Sequence, residues 1–248
     1  MSGMEILKTE SLSKMFGGLR AVDGVNFVIE EGHLQSIIGP NGAGKSTFFK
    51  LISGEMSPSE GKIWFRGKEI TGLPPHVVSH KGISVSYQLT NVYPRLSTLE
   101  NIRVACQSRR STYNFWSPAT RLKGLREKAE SILDVVGLSP KRNELACNLS
   151  HGEQRHLEIG IGLATEPSLF LMDEPTAGMS PEDTERTMLL IKEIAKGRTI
   201  IVVEHKMKLV MRISDKVTVL HDGRILAEGR PEEIQANERV QEVYLKGR

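Results

Sequence analysis

The chain reads as an α/β protein, a sheet core interrupted by a helical insertion, and three observations predict this. Apolar runs of strand length recur along the sequence. They alternate with patterns of helical period. Between Thr98 and Thr165 the strand signals fade and helix formers dominate. The 248 residues, 39% hydrophobic and 25% charged, match ordinary globular composition. A chain of this length buries roughly 70–75% of the surface its unfolded form exposes.

In chain order, residues 25–30 and 33–38 are expected strands separated by the turn Glu31-Gly32. A helical pattern covers 46–52, and 62–65 and 83–87 supply two further strands. Residues 122–136 (LKGLREKAESILDVV) and 155–164 are helical. The polar, basic, turn-rich stretch 107–121, with Tyr113, Phe115 and Trp116, is expected to be a loop. Strands at 169–172, 199–203 and 216–220 complete the sheet core, and 231–248 forms two short helices. The expected organisation is one domain over 1–248, with a core of 1–88 and 166–248 and a helical subdomain at about 89–165.

Several classes are excluded. Cys106 and Cys147 make no disulfide framework and no Cys-x-x-Cys pair, which suits a reducing compartment. The longest apolar runs, 168–172 and 199–203, fall far short of the ~20 residues a membrane helix needs. The opening MSGMEILKTESLSK has no basic segment leading into an apolar run, so secretion is not expected. A net charge of +3, from 33 basic and 30 acidic residues, is too small to argue for nucleic acid.

The strongest local pattern is Gly39-Pro40-Asn41-Gly42-Ala43-Gly44-Lys45-Ser46-Thr47, which fits G-x-x-x-x-G-K-[ST], the P-loop. An apolar strand leads in and a helical pattern leads out, as a phosphate loop requires. Glycines let backbone N–H groups turn toward phosphate oxygens, and the helix start adds a favourable dipole. Lys45 is placed to reach the β- and γ-phosphates, and the Ser46 hydroxyl to hold Mg²⁺. A dinucleotide fingerprint fails, because Gly42 and Gly44 are followed by Thr47. No N-K-x-D guanine-reading motif occurs.

A second element, SLFLMDEP at 168–175, brings two carboxylates out of the end of an apolar strand. Neighbours on a strand face opposite ways, so Asp173 can serve Mg²⁺ through its outer shell while Glu174 polarises an attacking water. A third, Leu149-Ser150-His151-Gly152-Glu153-Gln154, stands where a helix begins, so Ser150 and Gly152 offer either an anion site or a simple N-cap. His76 and His80 are four apart but lack the Glu of a zinc motif, and read as surface helix.

LSHGEQ resembles the LSGGQ signature of ATP-binding cassette (ABC) proteins and precedes DEP by a short helix. His151 and Glu153 depart from the commonest form, whereas the Ser and second Gly that contact phosphate in that family are present. The resemblance implies an ABC ATPase fold, a P-loop NTPase core sheet with an inserted helical subdomain. It implies that Gln88 contacts Mg²⁺ and the attacking water, that His205 contacts the γ-phosphate, and that Phe16 stacks on adenine. Residues 177–180 match the D-loop, with Ser180 where Asp is commoner.

The resemblance further implies two cassettes, of the same or a sister chain, facing head to tail. ATP is then held between Lys45 of one and Ser150 and Gly152 of the other. Glu174 orients water while His205 and Lys45 stabilise charge. The helical insertion offers a groove to transmembrane permease subunits, so the chain is expected to be cytoplasmic and peripheral on the inner face of the cell membrane. Within the family, FGGLRAVDGV, EHKMKLVMRISDKV and VQEVYLKG look like ATPases of branched-chain amino-acid uptake, which work with a solute-binding protein. Urea and amide importers and lipopolysaccharide-export ATPases are similar. Soluble non-transport members, with two cassettes or long coiled coils, fit poorly.

Overall fold

The computed structural model describes residues 4–86, 92–108 and 119–246. Two long strands, β1 (Glu5–Phe16) and β2 (Leu19–Glu30), form an antiparallel hairpin. Next come β3 (Leu34–Ile38) and α1 (Lys45–Ile52), then β4 (Glu60–Phe65) and the two-residue β5 (Lys68–Glu69). The helix α2 (Pro75–Lys81) opens with proline in its first turn and leads into β6 (Ile83–Ser86). Three helices follow: α3 (Thr98–Ser108), α4 (Ala119–Val135) and α5 (His151–Ala164). The chain returns through β7 (Leu169–Asp173), α6 (Pro181–Ile194), β8 (Thr199–Val203), α7 (Met207–Ile213), β9 (Lys216–His221) and β10 (Arg224–Gly229). It ends on α8 (Pro231–Ala236) and α9 (Glu238–Lys246).

There are two sheets where the sequence suggested one. The order β10-β9-β3-β8-β7-β6 forms a six-stranded sheet, parallel except for the edge strand β10. The order β2-β1-β4-β5 forms a separate antiparallel sheet. The expected strands 25–30 and 62–65 therefore lie outside the parallel sheet, and the turn Glu31-Gly32 carries the chain from one sheet to the other. The strand β1 was not read from the sequence at all. Its segment EILKTESLSKMF is rich in polar residues, and its burial alternates irregularly across register shifts, which blurs the period-two signal.

Strand alternation sorts the core into two faces. Ile37, Leu169, Leu171, Ile201 and Val203 point toward α1 and the antiparallel sheet, among Phe27, Phe48, Phe49 and Ile52. Leu34, Phe170, Met172, Ile200 and Val202 point the other way, toward the helices carrying Ile102, Leu133, Leu157, Met188 and Ile191. β8 is buried along its whole length and reads as a nearly continuous apolar run rather than an alternating one, whereas the equally buried β3 seats Gln35 and Ser36, which hydrogen-bond to the side chains of Thr218 and Ser214. The expected loop at 107–121 is shorter than thought, since α3 runs to Ser108 and α4 starts at Ala119. Tyr113, Phe115 and Trp116 lie outside the described residues.

Candidate nucleotide site

The site assembles at the carboxyl ends of β3, β7 and β8, adjacent parallel strands whose termini are in register: Ile37 pairs with Val203, and Asp173 also pairs with Val203. Gly39 to Gly44 link β3 to α1. Gly44 is the N-cap of α1 with φ of +96°, and a Cβ there would stand 2.3 Å from the Ala21 carbonyl oxygen. Only glycine satisfies both the left-handed backbone and that close approach. No side chain caps α1 and no acidic residue occupies its first turn, so its N-terminal N–H groups and dipole suit an anion.

Lys45 is 6% exposed, and its Nζ donates to the carbonyl oxygens of Gly39 at 2.8 Å and Pro40 at 2.9 Å. The loop thus curls over its own lysine. Burial pulls the Lys45 ammonium below the usual lysine range, against the opposing pull of Glu174 and Asp173. Ser46, Asn41 and Gly42 are exposed, while Pro40 and Thr47 are half-buried and Ala43 is buried.

Asp173 continues the alternation of Leu169 and Leu171, so it faces the α1 side. Its Oδ1 is buried with no hydrogen-bond partner among the described residues. Burial first, then the nearby Glu174 and Glu55 carboxylates, push its acid up to about 6. A buried carboxylate oxygen without a donor fits a cation, and the exposed Ser46 hydroxyl at the start of α1 is a compatible second ligand. No cluster of three or more His, Cys, Asp or Glu able to hold a metal occurs among the described residues. A donor set of one carboxylate and one hydroxyl suits a Mg²⁺ held mainly by phosphate and water oxygens.

Glu174 begins the turn after β7 in a left-handed conformation (φ +44°), rare for a non-glycine residue. Its N–H donates to Val203 at 2.9 Å, and its carbonyl accepts from the Arg155 guanidinium at 3.0 Å. From the neighbouring strand end, His205 brings Nδ1 within 3.9 Å of Glu174 Oε1. Asp173, Glu174 and His205 thus stand together on adjacent strand ends, and Lys45, at the start of α1, feels the Glu174 and Asp173 carboxylates although 129 positions separate it from Glu174. Phe16 is 46% exposed at the end of β1 and is not a core aromatic. It lies on the hairpin whose second strand, through Ala21, touches Gly44. Gln88 lies outside the described residues.

Ser150 and Gly152 sit apart from the phosphate loop. Ser150 is the N-cap of α5 and closes a capping box: its Oγ accepts from Glu153 N–H, and the Glu153 carboxylate accepts from Ser150 N–H at 2.9 Å. Lys141 pairs with Glu153 at 2.8 Å. Burial raises the Glu153 acid, but the Lys141 and Ser150 hydrogen bonds outweigh it, and the net direction is down. Gly152 presses on α6, where a Cβ would stand 3.0 Å from Asp183 Cγ. Ser180 is the N-cap of α6, accepting from Asp183 N–H at 3.1 Å. Either Ser or Asp performs that capping, so this departure from the usual D-loop has a local physical account.

Two functional-looking groups escaped the sequence reading. Arg155 and Glu158 form a buried ion pair one turn apart on α5, and Arg155 also donates to the carbonyl of Pro175 at 3.1 Å. Glu204 is fully buried where β8 ends. The available signal was a charged residue interrupting an otherwise apolar helix face or strand end, which periodicity alone does not distinguish from a surface position.

A family model described as ABC transporter matches residues 22–177, and another described as branched-chain amino acid ATP-binding cassette transporter matches 224–245. The chain is 39% identical to the high-affinity branched-chain amino acid transport ATP-binding protein BraF of Pseudomonas aeruginosa, covering 97% of each. It is 35% identical to the corresponding LivG of Escherichia coli K12, again over 97% of each. Among solved structures, it resembles the ADP conformation of an ATP-binding cassette of an ABC transporter, with a TM-score of 0.85 and 33% identity over 98% of this chain and 99% of that one. A dimeric bacterial ABC transporter cassette is similar with a TM-score of 0.78 and 27% identity, over 91% of this chain and 99% of that one.

Proposed function

The chain belongs to the ABC transporter ATP-binding family, and from that membership we propose that it energises uptake of branched-chain amino acids. As an ATP-binding subunit of an ABC transporter it hydrolyses ATP, works with permease subunits and pairs with a second cassette. None of its described helices is long and apolar enough to cross a membrane. In this reading the permeases hold it at the membrane, on the inner face. A solute-binding protein delivers cargo to them from the other side. The observation that carries the cargo reading is the C-terminal match over 224–245, the segment forming β10, α8 and most of α9. It agrees with the printed names of the relatives at 35–39% identity.

In the site, the loop from Gly39 to Thr47 binds the phosphates through backbone N–H groups, and Lys45 exchanges its loop carbonyls for phosphate oxygens. Ser46, Asp173 and Gln88 would hold Mg²⁺, which would supply neutralisation of phosphate charge. Phe16 offers its exposed face to adenine. Glu174 takes a proton from the attacking water, and His205 with Lys45 stabilises charge on the transferred group. Ser150 and Gly152 contact the nucleotide of the opposing cassette.

The test is reconstitution with the permeases and solute-binding protein in vesicles. Leucine or isoleucine is expected to stimulate hydrolysis by the native complex. Glu174→Gln is expected to keep ATP binding while losing hydrolysis by ~10²–10⁴-fold, the usual contribution of a general base. Stimulation by urea or short amides but not by leucine would replace the cargo reading, and unimpaired turnover by Glu174→Gln would remove that residue from its role.

A further inference from the structure

Glu204 is fully buried, and so is Thr176 beside it. The Glu204 carboxylate accepts three hydrogen bonds: from Thr176 N–H at 3.2 Å, from Thr176 Oγ–H at 2.5 Å and from His205 N–H at 3.2 Å. Thr176 lies two residues beyond Glu174, in the turn leaving β7, and His205 lies in the turn leaving β8. One side chain therefore ties together the two turns that present Glu174 and His205. The same carboxylate stands 3.8 Å from His205 Nδ1, while Glu174 Oε1 stands 3.9 Å from that atom on the other turn. With Nδ1 facing these two carboxylates, Nε2 across the ring is left to meet phosphate.

A carboxyl group is an expensive way to finish a buried strand. Val203 precedes it with full burial, and an aliphatic residue at 204 would pack there without any polar burden. An aliphatic residue would, however, leave Thr176 Oγ–H, Thr176 N–H and His205 N–H without this acceptor. Lys206 reinforces the junction, its Nζ donating to the Thr176 carbonyl at 3.3 Å. We propose that Glu204 is a positioning residue for hydrolysis, holding His205 in register with Glu174 by bridging the turns after β8 and β7. This rests on the assignment of Glu174 and His205 to hydrolysis above, and adds a residue that acts through them without touching the nucleotide.

The experiment compares Glu204→Gln, Glu204→Asp and His205→Ala, and the Glu204→Gln/His205→Ala double variant, in the reconstituted complex. kcat and KM for ATP, nucleotide Kd and the melting temperature are measured for each. A glutamine supplies one acceptor oxygen, so its amide nitrogen must face one of the three donors. In Glu204→Gln, kcat is expected to fall on the order of tenfold to a hundredfold, the scale of one unsatisfied buried donor. KM and nucleotide Kd stay within about twofold. Glu204→Asp, which keeps both acceptor oxygens one methylene short, is expected to retain an intermediate kcat, and it carries the same test should the glutamine variant not fold. In the His205→Ala background, Glu204→Gln is expected to cost nothing further, because the two act as one unit. Wild-type kcat in Glu204→Gln, or a loss that adds in full to that of His205→Ala, overturns the inference alone. A normal kcat in His205→Ala overturns the assignment of His205 itself, and this inference with it.

Discussion

At the scale of single residues, the site is governed by what burial does to charge. Asp173 shows it most directly, because its folded acid lies at about 6 against an ordinary 3.8. Its pKa is raised, so between those values the folded chain binds more protons than the unfolded one, and stability falls as pH rises from about 4 to about 6. Above that window the ionised form pays the whole desolvation cost, of about 1–2 kcal/mol after allowing for solvent access. Asp173→Asn removes the titration. In magnesium- and nucleotide-free buffer, its melting temperature is expected to gain on the native chain between pH 4.5 and pH 7, and a difference that stays constant across that range would rule the burial effect out. Lys45, Asp173 and Glu174 were legible in the sequence because each sits in a short pattern whose spacing is set by one local turn, whereas His205 was reached only through the family resemblance. Glu204 and Arg155 were not legible. Their partners lie 28 and 19 positions away, at Thr176 and Glu174, and only the folded sheet brings them within reach.

At the scale of elements, α5 joins the helical layer to the parallel sheet. It packs where Gly162 meets Phe170 on β7, and a Cβ at Gly162 would stand 2.3 Å from the ring's Cζ. Propensity and packing therefore disagree about the same substitution. In an open helix, Gly→Ala gains about 1 kcal/mol. Against a ring that is 1% exposed, overpacking costs typically 1–3 kcal/mol, so packing wins. Gly162→Ala is expected to lower the urea midpoint, and Phe170→Leu in the same chain to recover part of the loss. A rise in the midpoint for the single variant would mean that the ring yields freely and that α5 is not tightly held. The buried elements β7 and β8 were recoverable as apolar runs. The antiparallel sheet was less so, because β1 mixes polar residues with register shifts, and nothing local in 25–30 or 62–65 says which sheet a strand joins.

At the scale of the whole molecule, the parts of the site are unevenly distributed. The loop from Gly39 to Thr47 meets Asp173, Glu174 and His205 in one place, while Ser150 and Gly152 spend their contacts on Glu153 and Asp183. Within one chain, then, the signature caps its own helix and braces α6, and its Ser150 and His151 are exposed. Arg155 ties the two halves, since it leaves α5 directly after the signature and holds the carbonyls of Glu174 and Pro175. In the composite site proposed above, a second cassette gives the signature a phosphate to contact. Ser150→Arg is accordingly expected to abolish ATP-dependent dimerisation in a Glu174→Gln background, read by sedimentation velocity. Nucleotide affinity of the monomer should stay within about twofold, because its own phosphate loop is untouched. Loss of the N-cap costs about 1 kcal/mol, too little to unfold a domain of this size, so the monomer's unchanged affinity separates a blocked interface from a damaged fold. A dimer that persists with ATP would place the signature outside the composite site.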